Sequence, residues 1–294
     1  MQSRLPLRSF YSDQYEPLAL RSRRKNTKRL YVNTLNSFDR FLNRSAILGD
    51  LNDATVSKFA AWRIACGLSK YTVNKDLFNL LAIWRWAHRK GYLKKWPDVQ
   101  LEKPPVKAPV ALLRDELDAL VLSCQQEQER VGYVCGADFW TALVLLIWDT
   151  GERVGAVLAI EWTQVDLRGC WVRFDADHRK GGAADNQLQI ATDTAAALGK
   201  LKPREGVVFK WPYSPTYIYA RYSKILERAG LPTNRLYKFH CIRKSTASHY
   251  EAAGGNATEL LGHSSRKITK AYLDKRIVKP QSAVEKLFRP GQTG

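Results

Sequence analysis

The sequence predicts a mainly α-helical protein with a small β-sheet, arranged as an N-terminal helical bundle followed by an α+β domain. Three observations carry this. Over roughly the first hundred positions, apolar residues recur at three- and four-residue steps, the period of an amphipathic helix. A proline-rich stretch then breaks the pattern. Within the helical remainder, two short runs alternate at period two around a polar, glycine-bearing turn, as strands of a hairpin do.

Residues 1 to about 22 carry little pattern, and Pro6 and Pro17 predict patchy structure there. From Thr27, the residues Leu30, Tyr31, Leu35, Phe38, Phe41 and Leu42 fall on one helical stripe. A second helix is expected over about 54–66, with Val56, Phe59 and Ala60 inward and Gly67 ending it. A third starts near Ser69, turns Val73, Leu77, Leu80, Leu81, Trp84 and Ala87 to the core, and stops at Gly91. Short connections make these a bundle. Prolines 97, 104, 105 and 109 forbid helix through most of the next stretch. The sequence therefore divides into a helical domain over 1–103, a linker over 104–111 and a second domain over 112–294. The linker reads equally as a tether between two lobes that clamp a duplex or as a plain surface connection.

The second domain opens with a helix from Arg114, followed by a nearly all-apolar one over Phe139–Trp148 that predicts burial on most sides. Gly151 turns the chain before Arg153. The runs W-V-R-F-D and Q-L-Q-I flank Asp177-His178-Arg179-Lys180-Gly181-Gly182 as a hairpin tip, with Val207–Trp211 as a candidate third strand. Helix resumes at Thr216 and stops at Gly230 and Pro232; a last short helix is expected over Ser282–Phe288.

Lysine and arginine number 47 against 28 acidic residues, a formal charge of +19 that points to a polyanionic partner. No apolar run reaches the roughly 18–20 residues a spanning helix needs, and Met1 is not followed by a secretory apolar region, so DNA is favoured over lipid. The cluster Arg21, Arg23, Arg24, Lys25, Lys28 and Arg29 is placed to contact backbone phosphates, which position a protein without specifying sequence. Five dispersed cysteines with no C-x-x-C pair read as reduced thiols, not as disulfides or a zinc site, and set the expectation of a cytoplasmic protein.

The chemistry concentrates between Tyr237 and Asp274. His240 and Arg243 stand three apart, on one face of a helix that Gly254 and Gly255 terminate. Leu-Leu-Gly-His follows, ending at His263, and Tyr272 stands nine residues beyond. Two histidines, an arginine and a tyrosine suit phosphoryl transfer, without the carboxylate cluster that would hold a metal; no metal or cofactor is expected. Breaking a phosphodiester this way needs a nucleophile, charge on the non-bridging oxygens and an acid for the leaving oxygen. Arginine suits the clamp because its fork is permanently charged and bidentate, and neighbouring cations favour an ionised phenol. Each residue has a plainer reading: a helix cap for Arg153, a surface ion pair for Arg243, a satisfied core histidine for His240.

The spacing H-x-x-R, then L-L-G-H, then Y resembles the C-terminal signature of the tyrosine recombinases, the phage-integrase family. Thr150-Gly151-Glu152-Arg153 is similar to that family's T-G-x-R, and Lys180 stands where the family keeps a hairpin lysine. The resemblance implies a SAM-like core-binding domain joined to a tyrosine-recombinase catalytic domain. It also implies cleavage and rejoining of double-stranded DNA through a 3′-phosphotyrosyl intermediate, without metal or ATP. On that pattern Tyr272 is the nucleophile, Arg153 and Arg243 grip the phosphate, and Lys180 protonates the 5′ oxygen. His240 acts as acid and base, and His263 hydrogen-bonds a phosphate oxygen. A homotetramer on two DNA sites, with or without an accessory DNA-bending protein, is implied as well. One position departs: the acidic residue the family usually carries three places after the first arginine is Ala156 here, with Glu152 as the nearby carboxylate. A type IB topoisomerase shares the chemistry, and a DNA-binding protein that has lost cleavage would share the fold; Ala156 is the feature favouring the latter.

Overall fold

The computed structural model describes residues 2–179, 184–202 and 204–279. The chain divides into two compact units, Met1–Val106 and Lys107–Gly294. The division falls inside the proline-rich stretch, where residues 96–113 form no helix or strand.

In the first unit, helical structure begins earlier than the sequence predicts. Helix α1 (Leu7–Phe10), a π-helical turn (Tyr11–Tyr15) and α2 (Glu16–Ala19) run on from one another. Pro6 precedes the first turn, where a missing N–H costs little, and Pro17 comes directly after the π-helical turn, which adjusts the backbone bonding at that point in the run. Burial of Leu7, Phe10, Tyr11 and Tyr15 secures the segment. The Tyr11 ring lies 6.0 Å from Tyr31, and Tyr15 meets Trp86 edge-on at 5.8 Å. Three longer helices complete the bundle: α3 (Lys25–Leu42), α4 (Asp53–Ala65) and α5 (Lys70–Arg89). Asn52 and Ser69 cap α4 and α5 by accepting from Thr55 N and Thr72 N, and Gly67 and Gly91 leave α4 and α5 with positive φ. The three helices are also pinned by one buried carboxylate: Asp76 accepts from Thr34 Oγ1 at 2.8 Å and from Arg63 Nη2 at 2.7 Å.

The second unit begins with α6 (Arg114–Gln125) and α7 (Gly136–Thr150), and α7 runs through the core as its hydrophobicity requires. After α8 (Val154–Val157) comes an antiparallel sheet in the order β1 (Val165–Asp166), β2 (Trp171–Phe174), β3 (Asn186–Gln189). Val172 faces Leu188 and Phe174 faces Asn186. Val172 and Phe174 are buried while Trp171 is exposed, the alternation the sequence shows.

Val207–Trp211 does not form the third strand; β1 does. Val207 makes only an isolated bridge to Glu161, with Val208 N donating to Ile160 O. Val208 and Phe209 are adjacent and both buried, so that segment enters the core instead of showing alternate faces. Helix α9 (Thr192–Gly199), not expected from the sequence, follows β3, and then α10 (Tyr217–Arg228). Last come α11 (His240–Ala252), α12 (Ala257–Leu260) and α13 (Arg266–Lys270), which form the frame of the site. The tail helix expected over Ser282–Phe288 lies outside the described residues. No described helix is long and apolar enough to cross a membrane.

Candidate active site

Gly151 ends α7 with φ +60°, and a Cβ there would stand 2.9 Å from Leu261 Cδ2. The left-handed backbone conformation thus favours glycine. The turn delivers Glu152 inward and makes Arg153 the N-cap residue of α8, half-buried. From the other side, α11 carries Arg243 fully into the interior, at 0% exposure. Its guanidinium donates to the carbonyls of Gly151 and, at 3.0 Å, Leu261. Gly262, at φ +60°, then turns the chain so that His263 faces Arg243.

Arg243 Nη2 lies 3.3 Å from His263 Nε2. A guanidinium only donates, so Nε2 must be the bare nitrogen and the ring proton sits on Nδ1, 3.1 Å from Thr269 Oγ1. Tyr272 closes the cluster. Its ring is 5.1 Å from His240 and 4.7 Å from His263, and Arg243 Cζ lies 5.8 Å from its centroid. The Nε of Arg243 is buried and makes no geometrically well-formed hydrogen bond among the described residues.

Five of the six residues singled out in the sequence, Arg153, His240, Arg243, His263 and Tyr272, thus converge in the second unit. Lys180, the sixth, lies outside the described residues. In the first unit, Arg21, Arg23 and Arg24 occupy the turn before α3, whose opening turns carry Lys25, Lys28 and Arg29. Lys28 pairs with Glu16 at 3.2 Å, and Arg29 donates to Asn26 at 2.7 Å. Arg23 lines an open groove of about 490 Å³ with Tyr31, Trp86, Arg85 and Arg89. The last two were legible as an i, i+4 pair on one helix face but were not singled out.

Electrostatics of the cluster follow from burial and crowding by cations. Burial first, then Arg153, lowers Arg243 to about 10, while Glu152 opposes the shift; the guanidinium stays charged at neutral pH. Glu152, 1% exposed, holds its carboxylate 3.7 Å from Arg243 Nη1 and accepts from Arg179 Nε at 2.8 Å. Ala156, where the family-like pattern would place an acid, is a buried methyl group. Arg179 is 6% exposed and also donates to Ala184 O, bracing the base of the hairpin. Its part was hidden in the sequence because hairpin register is not fixed by composition. Among the described residues, no three His, Cys, Asp or Glu side chains gather as metal ligands.

Desolvation, then Lys244, Arg243 and Arg153, push His240 down to about 4. Desolvation, then Arg243 and Arg153, do the same to His263. Both rings are neutral at pH 7. An imidazole NMR titration is expected to give both midpoints well below the ordinary 6.5. A ring whose folded value is depressed resists charging, so its contribution to stability is present above about pH 6.5 and declines toward pH 4. A midpoint near 6.5 for either ring would place it outside the cationic cluster.

Comparison with known proteins bears on this arrangement. Residues 7–101 match the phage integrase SAM-like domain. No curated protein matches the sequence. Among solved structures, a Tn1549 transposon integrase in complex with transposon right-end DNA superposes with a TM-score of 0.73 at 16% identity, over 91% of this chain and 94% of that one. A lambda integrase dimer bound to a COC′ core site gives 0.70 at 18% identity, over 94% and 79%. A lambda integrase tetramer bound to a Holliday junction gives 0.69 at 18% identity, over 92% and 78%. The chain therefore has the fold of these integrases, with a phage integrase SAM-like domain at residues 7–101.

Proposed function

We propose that the chain is a site-specific DNA recombinase or integrase that cuts and rejoins DNA through a 3′-phosphotyrosyl intermediate, without metal or ATP. The observation that carries this reading is the placement of the Tyr272 ring between two imidazoles, with the Arg243 guanidinium close by. The Tyr272 oxygen attacks phosphorus, an O–P bond forms, and the bond to the 5′ oxygen breaks. Arg153 and Arg243 neutralise charge gathering on the non-bridging oxygens. Lys180 is assigned the proton for the departing 5′ oxygen from the sequence alone. His240, neutral at pH 7, accepts the phenolic proton. The phosphotyrosyl ester retains the energy of the broken bond, so another 5′ hydroxyl can reverse the step.

The first unit is assigned the core-DNA grip, through Arg21, Arg23, Arg24, Lys25, Lys28 and Arg29. Assembly as a homotetramer on two sites, in the cytoplasm, follows from the same reading, which the tetramer of the similar lambda integrase supports. Ala156 is the sequence feature favouring a non-cleaving protein; the contact of Glu152 with Arg243 weighs against that.

A nicked suicide duplex tests the reading. The expected product is a denaturation-resistant protein–DNA species that disappears with Tyr272→Phe. If no plausible target DNA yields it, cleavage is not the function. Plasmid relaxation by a monomer, without pairing of two sites, would instead make the chain a topoisomerase.

A further inference from the structure

Tyr272 sits two residues before a buried carboxylate for which the cleavage chemistry has no use. Asp274 is 3% exposed, and its oxygens accept from Ala111 N at 2.9 Å, Arg276 N at 2.9 Å and the Arg276 guanidinium at 2.8 Å. Arg276 also donates to Ala111 O at 2.6 Å, so the two side chains grip both backbone groups of one residue. The backbone N of Asp274 donates to Ser248 Oγ at 3.0 Å, and that hydroxyl donates to the carbonyl of Tyr272 at 3.3 Å. The segment gripped is itself fastened to α11. Leu112 N donates to Ser245 Oγ at 2.7 Å, and Leu112 O lies 3.0 Å from His249 Nε2.

We propose that Asp274 is a positioning residue for the nucleophile: with Arg276 and Ser248 it clasps the Tyr272 segment to α11 and to residues 111–112. The inference rests on the cleavage reading above and adds a residue to it. A hydroxyl held by one short helix and a ring cluster could reach many orientations. The clasp fixes the main chain on the far side of Tyr272, leaving the side-chain torsions as its chief remaining freedom. Asparagine at 274 would keep one acceptor but turn an amide N–H₂ toward Ala111 N or the guanidinium, so the clasp cannot form with both oxygens.

The test compares wild type with Asp274→Asn in the full chain, using single-turnover cleavage of the nicked duplex at saturating protein. Misplacing a reacting group by about 1 Å costs about 10²-fold in rate. The expected result is a loss of about 10- to 100-fold at saturation, with DNA affinity retained and the protein still folded at the assay temperature, although its melting temperature falls. Faster tryptic cutting after Lys275 and Arg276 should accompany it. Ser248→Ala, which removes the relay hydroxyl and leaves both charges, is expected to lower the same rate by a smaller factor.

An unchanged rate at saturation overturns the proposal. A rate lost in step with affinity, or through unfolding at the assay temperature, overturns it too, because Asp274 would then serve only the fold. Should wild type form no adduct, the cleavage reading falls instead. The tryptic comparison needs no DNA, and equal cutting of the two proteins would then remove the clasp as well.

Discussion

Arg243→Ala is expected to cut single-turnover cleavage by at least about 10²- to 10³-fold, the usual effect of removing one preorganised donor from a developing oxyanion. DNA binding should survive, because affinity for a duplex is spread over many phosphate contacts. Arg243→Lys is the sharper variant. A point charge cannot reproduce the fork that reaches both the Gly151 and Leu261 carbonyls and so places the positive charge, so lysine should fail nearly as badly. The measurement is adduct formation against time at saturating protein, beside a binding isotherm at fixed salt. Equal losses in the two would move Arg243 out of the chemistry and into the DNA grip.

Glu152→Gln is expected to have the largest effect on stability. The carboxylate lies between two buried guanidiniums, Arg179 at 2.8 Å and Arg243 at 3.7 Å, with both its partners almost free of solvent. Removing one member of a buried ion pair leaves an uncompensated charge and typically costs about 3–5 kcal/mol. Here two cations would lose the same counterion, with the Arg153 charge nearby adding to the repulsion. Urea denaturation should therefore show the second unit unfolding at markedly lower denaturant, while the first unit, which contains neither arginine, keeps its midpoint. A loss of less than about 1 kcal/mol, the scale of an exposed pair, would mean that water or a neighbouring group already neutralises the arginines.

These two residues also show where sequence reading succeeds and where it stops. Arg243 was legible because its spacing from His240, His263 and Tyr272 is local, within one run of turns and helices. The apolar stripes of α3 and α5 were legible for the same reason: periodicity is a local property, and Leu35, Phe38, Leu77 and Trp84 are buried where the stripes place them. Pro6 and Pro17 obscured the first helical run, since tolerance of proline depends on where a helix starts. Adjacent valines and a phenylalanine at 207–209 imitated a strand because an apolar run does not reveal whether it will pair or simply enter a core. Glu152 could be seen as a spare carboxylate, but its partner Arg179 comes through a hairpin whose register the sequence leaves open. Asp274 was visible only as a neighbour of Tyr272. Its partner Ala111 is 163 residues away, beyond any local pattern.

Those distances in sequence bear on how the molecule is made. The hydrogen bond from Arg243 to Gly151 closes a loop of 92 residues, and the one from Ala111 to Asp274 a loop of 163. Long loops are entropically costly to close and are completed late in folding. Local helices such as α6 and α7 can form while the chain is still being synthesised, but the Tyr272 segment is not fastened until residue 274 has been added and has found residue 111. In a nascent or truncated chain the cluster around Tyr272 is therefore the last part of the second unit to be assembled.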